Sequence, residues 1–343
     1  MPRPTANPAD RFSETTLAWE GEAPAADLEV FEERARSILS SNESPDLGFR
    51  WSVNPYRGCY HGCAYCYARP THPYLGHGAG TDFERKLVVK VNAPELLREA
   101  FERPSWTGET VVFSGNTDCY QPLEAHHRLT RRLLEVCLAY RNPVGIITKG
   151  ALIRRDLDLL SELARRARCR VTLSIAFDDD ATRRALEPWA SPIEQRFEVM
   201  RRLADAGVPC GISLAPIIPG LNDSDVPALL TRAKEAGATH AFMALLRLPG
   251  EVLPVFDERL GAALPLRHAR VMNAVRELRG GALSESGFGQ RFVGKGPRWQ
   301  IVERLFETHA RRLGLVNDEM GVGPVVPEPA TTFERPRAQL SLF

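Results

Sequence analysis

Residues 58–72 read GCYHGCAYCYARPTH and place three cysteines within eight positions. The three cysteines have the spacing C-x3-C-x2-C and are Cys59, Cys63 and Cys66. No fourth cysteine lies near them, whereas structural metal sites built from cysteine close with four ligands. Three thiolates can hold three corners of a cubane iron–sulfur cluster and leave the fourth iron open to an exchangeable ligand. A Cys3His structural zinc site, completed by His61 or His72, is the alternative that these residues leave open.

The cysteine loop stands at the start of a regular alternation of apolar runs and helical patterns. A strand-like run, FRWSVN at 49–54, leads directly into the loop, and five apolar runs follow. These five runs cover residues 110–115, 143–150, 170–177, 209–218 and 239–248. Strands and helices that alternate about every 30–35 residues predict βαβ units with a parallel sheet. Six units are too few for a closed eightfold barrel, and they predict an α/β fold with an open or partial barrel or with a doubly wound sheet.

Three regions flank the predicted barrel, which we place at 49–250. Residues 1–48 are polar and rich in proline, alanine and glutamate, and they predict an N-terminal extension with one short helix near 27–40. Residues 251–316 predict a C-terminal helical region. Residues 317–343 are proline-rich and aperiodic over most of their length, which predicts a flexible tail.

Composition limits the class of protein. The chain has 343 residues, of which 43% are hydrophobic and 25% charged, as in ordinary globular proteins. Its net charge of +1 gives no overall basic field that would indicate nucleic-acid binding. No run approaches the about 18 apolar residues of a membrane span, and the N-terminus lacks the apolar core of a secretory signal. We therefore expect a cytoplasmic protein without membrane contact, a monomer, whose seven cysteines serve metal or thiol chemistry.

The cysteine motif after the first strand of a βα series resembles the signature of the radical S-adenosylmethionine (radical SAM) superfamily. The resemblance covers about residues 50–250 and implies an α/β fold with a partial (βα)6 TIM-like barrel. It also implies a [4Fe-4S] cluster on the three cysteines, with S-adenosyl-L-methionine on the open iron. In this family, one electron breaks the C5′–S bond of S-adenosylmethionine, and the resulting 5′-deoxyadenosyl radical abstracts hydrogen from the substrate. An electron donor such as flavodoxin or ferredoxin is implied as a partner.

Small and polar residues stand at the ends of the later predicted strands, where ligands bind in parallel α/β folds. These residues are Ser114, Gly115, Asn116, Lys149 and Ser174. The resemblance implies that residues 114–116 correspond to the family's Gly-Gly-Glu-like segment at the methionine amino group, with Asn116 in place of glutamate. Lys149 would pair with the carboxylate of S-adenosylmethionine, and Ser174 would contact its ribose or carboxylate.

The loop is similar in more detail to the spore photoproduct lyase branch, in which a Tyr-Cys-Tyr surrounds the third cysteine. That branch splits a UV-damaged thymine pair in DNA. The resemblance implies that Tyr65 contacts the adenine of the cofactor and that Tyr67 relays a hydrogen atom. The lyase carries a hydrogen-donating cysteine near the position of Gly115, and Cys119 is the candidate donor here. A packing role for Cys119 is the alternative.

The chain ends in QLSLF, which resembles the pentapeptide by which bacterial polymerases and repair proteins bind the β sliding clamp. The residues are Gln339, Leu340, Ser341, Leu342 and Phe343. Together the two resemblances favour a lyase-like radical SAM enzyme that acts on a damaged DNA base. Alternatives are an enzyme that modifies RNA, a peptide or a small molecule, and a non-enzymatic metal-bearing protein associated with DNA.

Overall fold

Short runs of valine, isoleucine and leucine form the strands, and amphipathic segments between them form the helices. The structure, a computed structural model, describes residues 5–12, 26–317 and 330–336. The strands are β1 Glu29–Glu33, β2 Leu39–Ser41, β3 Trp51–Val53, β4 Tyr56–Arg57, β5 Lys86–Lys90, β6 Val111–Phe113, β7 Val144–Thr148, β8 Cys169–Ser174, β9 Cys210–Ile217, β10 His240–Leu245 and β11 Val316–Asn317. The α-helices are α1 Asp82–Arg85, α2 Ala93–Glu102, α3 Glu124–His127, α4 Leu129–Ala139, α5 Leu157–Arg166, α6 Asp180–Leu186, α7 Ile193–Asp205, α8 Val226–Glu235, α9 Val252–Ala263, α10 Pro265–Leu278 and α11 Gly296–Arg312.

One sheet of eight strands organises the described part of the chain. Its order is β11-β10-β9-β8-β7-β6-β3-β2, and every neighbouring pair is parallel except β2 with β3. The six strands from β3 to β10 in this sheet are the six predicted from the sequence. Because the order has two ends, the sheet is open, and the predicted α/β fold with a mostly parallel, unclosed sheet is confirmed.

Burial on both faces explains the continuous apolar runs. All three residues of β6 are buried, and so are Val171 and Leu173 of β8. Helices such as α5 cover the sheet with one apolar face, here Leu159, Leu160 and Leu163. Such parallel strands all point the same way, so the loops that follow β3, β6, β7 and β8 meet at one edge of the sheet.

The N-terminal region differs from the prediction. The helix predicted near 27–40 is absent from the described residues, because Glu29–Glu33 forms β1 in parallel with β5 and Leu39–Ser41 forms β2 against β3. A second sheet, β1-β5-β4, results. Pairing with existing strand edges outweighs the weak helical preference of this charged segment.

Part of the region predicted as a flexible tail is docked on the domain. In residues 330–336, the Thr331 hydroxyl donates to the Gly108 carbonyl at 2.5 Å, and the Phe333 ring stacks on Tyr140 at 6.2 Å. These contacts precede β6 and β7, at the edge of the sheet opposite the cysteine loop. Burial of one aromatic ring and several backbone hydrogen bonds hold a segment that has no periodic pattern of its own.

The five residues predicted to bind the sliding clamp, 339–343, lie outside the described residues. Among the helices of the described ranges, none combines the length and apolar character that crossing a bilayer requires.

Candidate active site

A cavity of about 430 Å³ opens at the carboxyl edge of the parallel strands. It brings together every site residue predicted from the sequence except Cys119. The predicted residues that line it are Cys59, Cys63, Cys66, Tyr65, Tyr67, Ser114, Gly115, Asn116, Lys149 and Ser174.

The three cysteines are free thiols on one wall of this cavity. Gly58 adopts a φ of 71°, a left-handed conformation that turns the chain into the loop. Burial raises the pKa of the Cys63 thiol to about 12, and the nearby Lys149 opposes this shift. Within the residues that the structure describes, no three Cys, His, Asp or Glu side chains converge on the position of a single metal ion. The three thiols line one cavity, and three thiolates are a ligand set that a cubane iron–sulfur cluster can use.

Buried guanidinium groups support the loop from behind. The Arg69 Nη2 atom donates to the Cys63 carbonyl at 2.8 Å, and Arg259 Nη1 donates to the Gly62 carbonyl at 2.5 Å. Both guanidinium groups also donate to Glu84 Oε1, at 2.5 and 2.6 Å. Two arginines and one carboxylate therefore leave net positive charge beneath the cysteines.

Side chains from the segment after β6 hold the other side of the loop. Gln121 Oε1 accepts from the Tyr60 amide at 2.8 Å, and its Nε2 donates to the Gly58 carbonyl at 3.2 Å. Asn54 Oδ1 accepts from the Asn116 amide at 2.8 Å. The cysteine loop and the loop after β6 are thereby fixed to each other. Sequence reasoning did not identify Gln121 or Asn54 in these roles.

Asp118 joins three elements at the floor of the cavity. Its carboxylate accepts from the Thr148 hydroxyl at 2.6 Å and from the Lys149 amide at 2.7 Å, and it lies 3.4 Å from His61 Nδ1. Burial alone would raise the pKa of Asp118, but the His61 ring and these hydrogen bonds outweigh it and hold the pKa well below its usual range. The carboxylate is therefore ionised, and it fixes the backbone that carries Lys149.

Lys149 presents a cation to the middle of the cavity. Its Nζ atom donates to Ser174 Oγ at 2.9 Å and lies 5.8 Å from the centre of the Tyr65 ring. The Tyr65 hydroxyl donates to Glu187, which also accepts from the fully buried Arg196 at 2.5 Å. Lys149, Ser174 and Tyr65 thus form one polar surface next to Cys63, and it fits a carboxylate together with a flat ring.

The loop after β6 forms the wall facing Lys149. Ser114 adopts a φ of 71°, unusual for a residue with a side chain, and Gly115 approaches β3 so closely that a Cβ there would lie 2.7 Å from Ser52. The Tyr67 hydroxyl donates to the Gly115 carbonyl at 2.9 Å, and 52% of Tyr67 stays exposed. Tyr67 is therefore accessible from the cavity.

Cys119 lies away from the cavity. It is fully buried, its amide donates to Ser114 Oγ at 2.9 Å, and its carbonyl accepts from Thr130. Burial raises the pKa of the Cys119 thiol well above its usual range. This position supports the packing alternative rather than the hydrogen-donor role, and we do not include Cys119 in the proposed chemistry.

The same cavity has a second group of lining residues with a different character. They are Phe49, Phe292, Arg247 and Arg291. Arg291 Nε lies 2.6 Å from Asp46 Oδ2, and this pair joins the residues before β3 to the loop that precedes α11. None of the four is among the predicted site residues, although Arg247 follows the last large strand at the same edge as the others.

The fold and the cavity define a class: an enzyme with an open parallel barrel that carries three free cysteines after its first barrel strand. Residues 53–233, more than half of the chain, match the radical SAM superfamily, and the chain belongs to it. This protein is a radical SAM enzyme, with a [4Fe-4S] cluster and S-adenosylmethionine as its cofactors. Cys59, Cys63 and Cys66 are the cavity residues that could hold the cluster.

Several proteins are similar to this chain. An uncharacterized protein of Mycobacterium tuberculosis is 38% identical over 234 residues, which cover 68% of each chain. A radical SAM Nalpha-GlyT isomerase of Pseudomonas phage M6 is 25% identical over 211 residues, which cover 61% of this chain and 42% of the phage protein. Spore photoproduct lyase in complex with dinucleoside spore photoproduct superposes with a TM-score of 0.63 at 16% identity, over 84% of this chain and 81% of the lyase. The last comparison shows a common fold.

Proposed function

We propose that this radical SAM enzyme acts on a nucleic-acid base and that its substrate is a damaged pyrimidine in DNA. The observation that carries the proposal is that one cavity is lined both by thiols with a lysine and by aromatic rings with arginines. The first group fits the cofactors, and the second fits a flat base with an anionic backbone. The fold common with spore photoproduct lyase and the Tyr-Cys-Tyr loop support the same substrate class.

Each residue has a defined part in this proposal. Cys59, Cys63 and Cys66 hold the cluster. When bound, the two cofactors supply a 5′-deoxyadenosyl radical that abstracts hydrogen from the substrate. Lys149 and Ser174 bind the carboxylate end of S-adenosylmethionine.

Three other cavity residues position the remaining groups. Tyr65 would contact the adenine, and Ser114 and Asn116 would bind the methionine amino group. Tyr67 is accessible from the cavity and has a hydroxyl fixed by Gly115, so we assign it the hydrogen-atom relay.

Anaerobic turnover tests this function. The reconstituted, reduced protein is incubated with S-adenosylmethionine and either UV-irradiated or intact DNA, and mass spectrometry follows 5′-deoxyadenosine and the bases. We expect loss of a photoproduct and restoration of thymine only with irradiated DNA, and neither with a Cys66→Ala variant. Identical base composition before and after incubation, with 5′-deoxyadenosine still formed, would remove DNA repair and favour RNA, a peptide or a small molecule as substrate.

Two partners follow from the same proposal. An external one-electron donor such as flavodoxin or ferredoxin reduces the cluster, and QLSLF at 339–343 binds the β sliding clamp. A fluorescent QLSLF peptide and full-length protein should compete for purified clamp, whereas protein lacking 339–343 should not. Equal competition by both proteins would exclude this segment as the binding site.

A further inference from the structure

Arg247 is a cation in the cavity without a carboxylate of its own, because the nearby Asp46 pairs with Arg291. It is half-buried, its Nε atom is shielded from solvent, and no hydrogen-bond acceptor or carboxylate contacts its guanidinium among the residues that the structure describes. The guanidinium lies over the Phe292 ring, whose centre is 5.0 Å from the guanidinium carbon. A cation–ring contact of this kind orients the guanidinium plane but satisfies none of its N–H donors.

The neighbouring Arg291 makes the contrast clear. Arg291 lies 4.9 Å from the same ring, but its charge is balanced by Asp46 at 2.6 Å. The Arg291 Nη2 atom also donates a hydrogen bond to the Ser44 hydroxyl. Arg291 therefore has a structural role in joining two segments, whereas no carboxylate or hydroxyl of the described residues holds Arg247.

An unpaired buried donor is costly, and a guanidinium more so than a neutral group. A protein keeps such a group when a ligand supplies the missing acceptor. Guanidinium groups match phosphate oxygens in two-pronged geometry, and arginine is favoured wherever phosphate is recognised. Arg247 has the position, the charge and the free donors for this task.

Two anions are candidates for this position: the carboxylate of S-adenosylmethionine and a phosphate of the substrate. Lys149 and Ser174 already form a cationic surface next to Cys63 and Tyr65. The ionisable groups of the described residues that act on Arg247 are Arg291, Tyr67 and Asp46, and Lys149 is not among them. Arg247 therefore lies with Phe292 and the Arg291–Asp46 pair rather than with Lys149 and Ser174, and this location favours the substrate.

We propose that Arg247 is a substrate-binding residue that holds a backbone phosphodiester of the nucleic acid whose base enters the cavity. This inference rests on the proposed function and deepens it by assigning the recognition of the anionic backbone. Phe292 orients the guanidinium, and Arg291 fixes the loop that carries Phe292.

A neutral analogue of the same shape separates the contribution of the phosphate charge to binding from that of the rest of the ligand. The probes are the dinucleotide TpT and its methylphosphonate analogue, in which a methyl group replaces one charged oxygen. Binding to the reconstituted holoprotein is measured anaerobically by equilibrium dialysis. Wild-type protein should bind TpT about 10- to 100-fold more tightly than the analogue, as expected for a charge-assisted contact. Arg247→Gln should bind the two probes equally, and Arg247→Lys should keep part of the preference.

Arg270→Gln is the matched control, because Arg270 is an exposed arginine on α10 outside this cavity. It should keep the wild-type preference for TpT. Iron content and circular dichroism of every variant establish that the site is assembled. An unchanged preference in Arg247→Gln would overturn the proposal, as would equal binding, or no binding, of the two probes by wild-type protein.

Weaker binding of S-adenosylmethionine by Arg247→Gln, with the TpT preference intact, would assign Arg247 to the cofactor and also overturn the proposal. The result is separable from the repair assay. If irradiated DNA is not processed but the Arg247-dependent preference holds, the lesion is wrong and the phosphate contact stands. If a lesion is processed without this preference, the phosphate contact alone is wrong.

Discussion

Replacing Glu84 by glutamine removes the carboxylate that balances two guanidinium groups behind the cysteine loop. Glu84 is 3% exposed, and its Oε1 accepts from Arg69 at 2.5 Å and from Arg259 at 2.6 Å. Arg69 is fully buried, so water cannot replace the lost charge. The variant would hold two close positive charges in a site of low polarity, with only neutral acceptors around them.

The cost follows from the burial. Breaking a buried ion pair by removing one partner costs about 3–5 kcal/mol, a large part of the about 5–15 kcal/mol that stabilises an ordinary domain. The exposed pair Arg132–Glu95 provides the matched control, because its two atoms lie 2.8 Å apart but the side chains are 45% and 51% exposed. Glu95→Gln should cost only about 0–1 kcal/mol.

Anaerobic urea unfolding followed by circular dichroism measures both losses in the free energy of unfolding. Because Arg69 and Arg259 also donate to the carbonyls of Cys63 and Gly62, Glu84→Gln should in addition lower the iron bound per chain after reconstitution. Glu95→Gln should bind iron as the wild type does. Equal unfolding midpoints for the two variants would refute the reasoning, since burial would then not determine the cost.

Three further predictions concern the cofactor, the docked segment and acid stability. Lys149→Gln should weaken S-adenosylmethionine binding about 10- to 100-fold in equilibrium dialysis, with iron content unchanged, because it removes the cation beside Ser174. Lys234→Gln, on the exposed side of α8, is the control. Equal affinities of the two variants would contradict the assignment. Phe333→Ala should speed proteolysis within 330–336 about tenfold, because it removes the stack on Tyr140. Mass spectrometry follows the cleavage. An unchanged rate would mean that the ring does not anchor the segment. Burial and the neighbouring His77 lower the pKa of His72 to about 4. Between pH 6.5 and pH 4 the folded state therefore binds fewer protons than the unfolded state. The free energy of unfolding should fall by about 1.4 kcal/mol for each pH unit by which the pH drops through this range. His72→Phe should reduce this loss in urea titrations at pH 7 and pH 5, and parallel losses in both proteins would exclude His72 as the source.

The six barrel strands could be predicted because each is a local signal. Runs such as VGIIT of β7 are apolar throughout and lie between amphipathic helices, so pattern and position agree. Strands β1 and β2 had no such signal. Glu29–Glu33 is mostly exposed and charged, and only the edge of β5 determines its conformation. The docking of 330–336 likewise depends on a groove formed by residues far away in sequence.

The site residues likewise include some that the sequence could predict and some that it could not. The three cysteines and Lys149 stand at strand ends, where a rule about parallel sheets finds them from sequence alone. Glu84 and Gln121 could not be found by that rule. Their partners lie far away in sequence, and no local sequence pattern indicates such a buried contact. Arg247 could have been found by the rule, since it comes two residues after β10.

Positive charge lies at three places in and behind the cavity, in a chain whose net charge is only +1. Arg69 and Arg259 lie behind the cysteine loop with one carboxylate between them, Lys149 lies in the middle, and Arg247 lies beside the Phe292 ring. Under the proposal, each cation meets one anion: the cluster with its thiolates, the carboxylate of S-adenosylmethionine and a backbone phosphate. Each anion neutralises a charge that is costly to bury alone, so occupancy of each position should stabilise the fold as well as order the reactants. An enzyme for a neutral substrate would have no use for the third cation, and this makes Arg247 the residue that best distinguishes a nucleic acid from the alternatives.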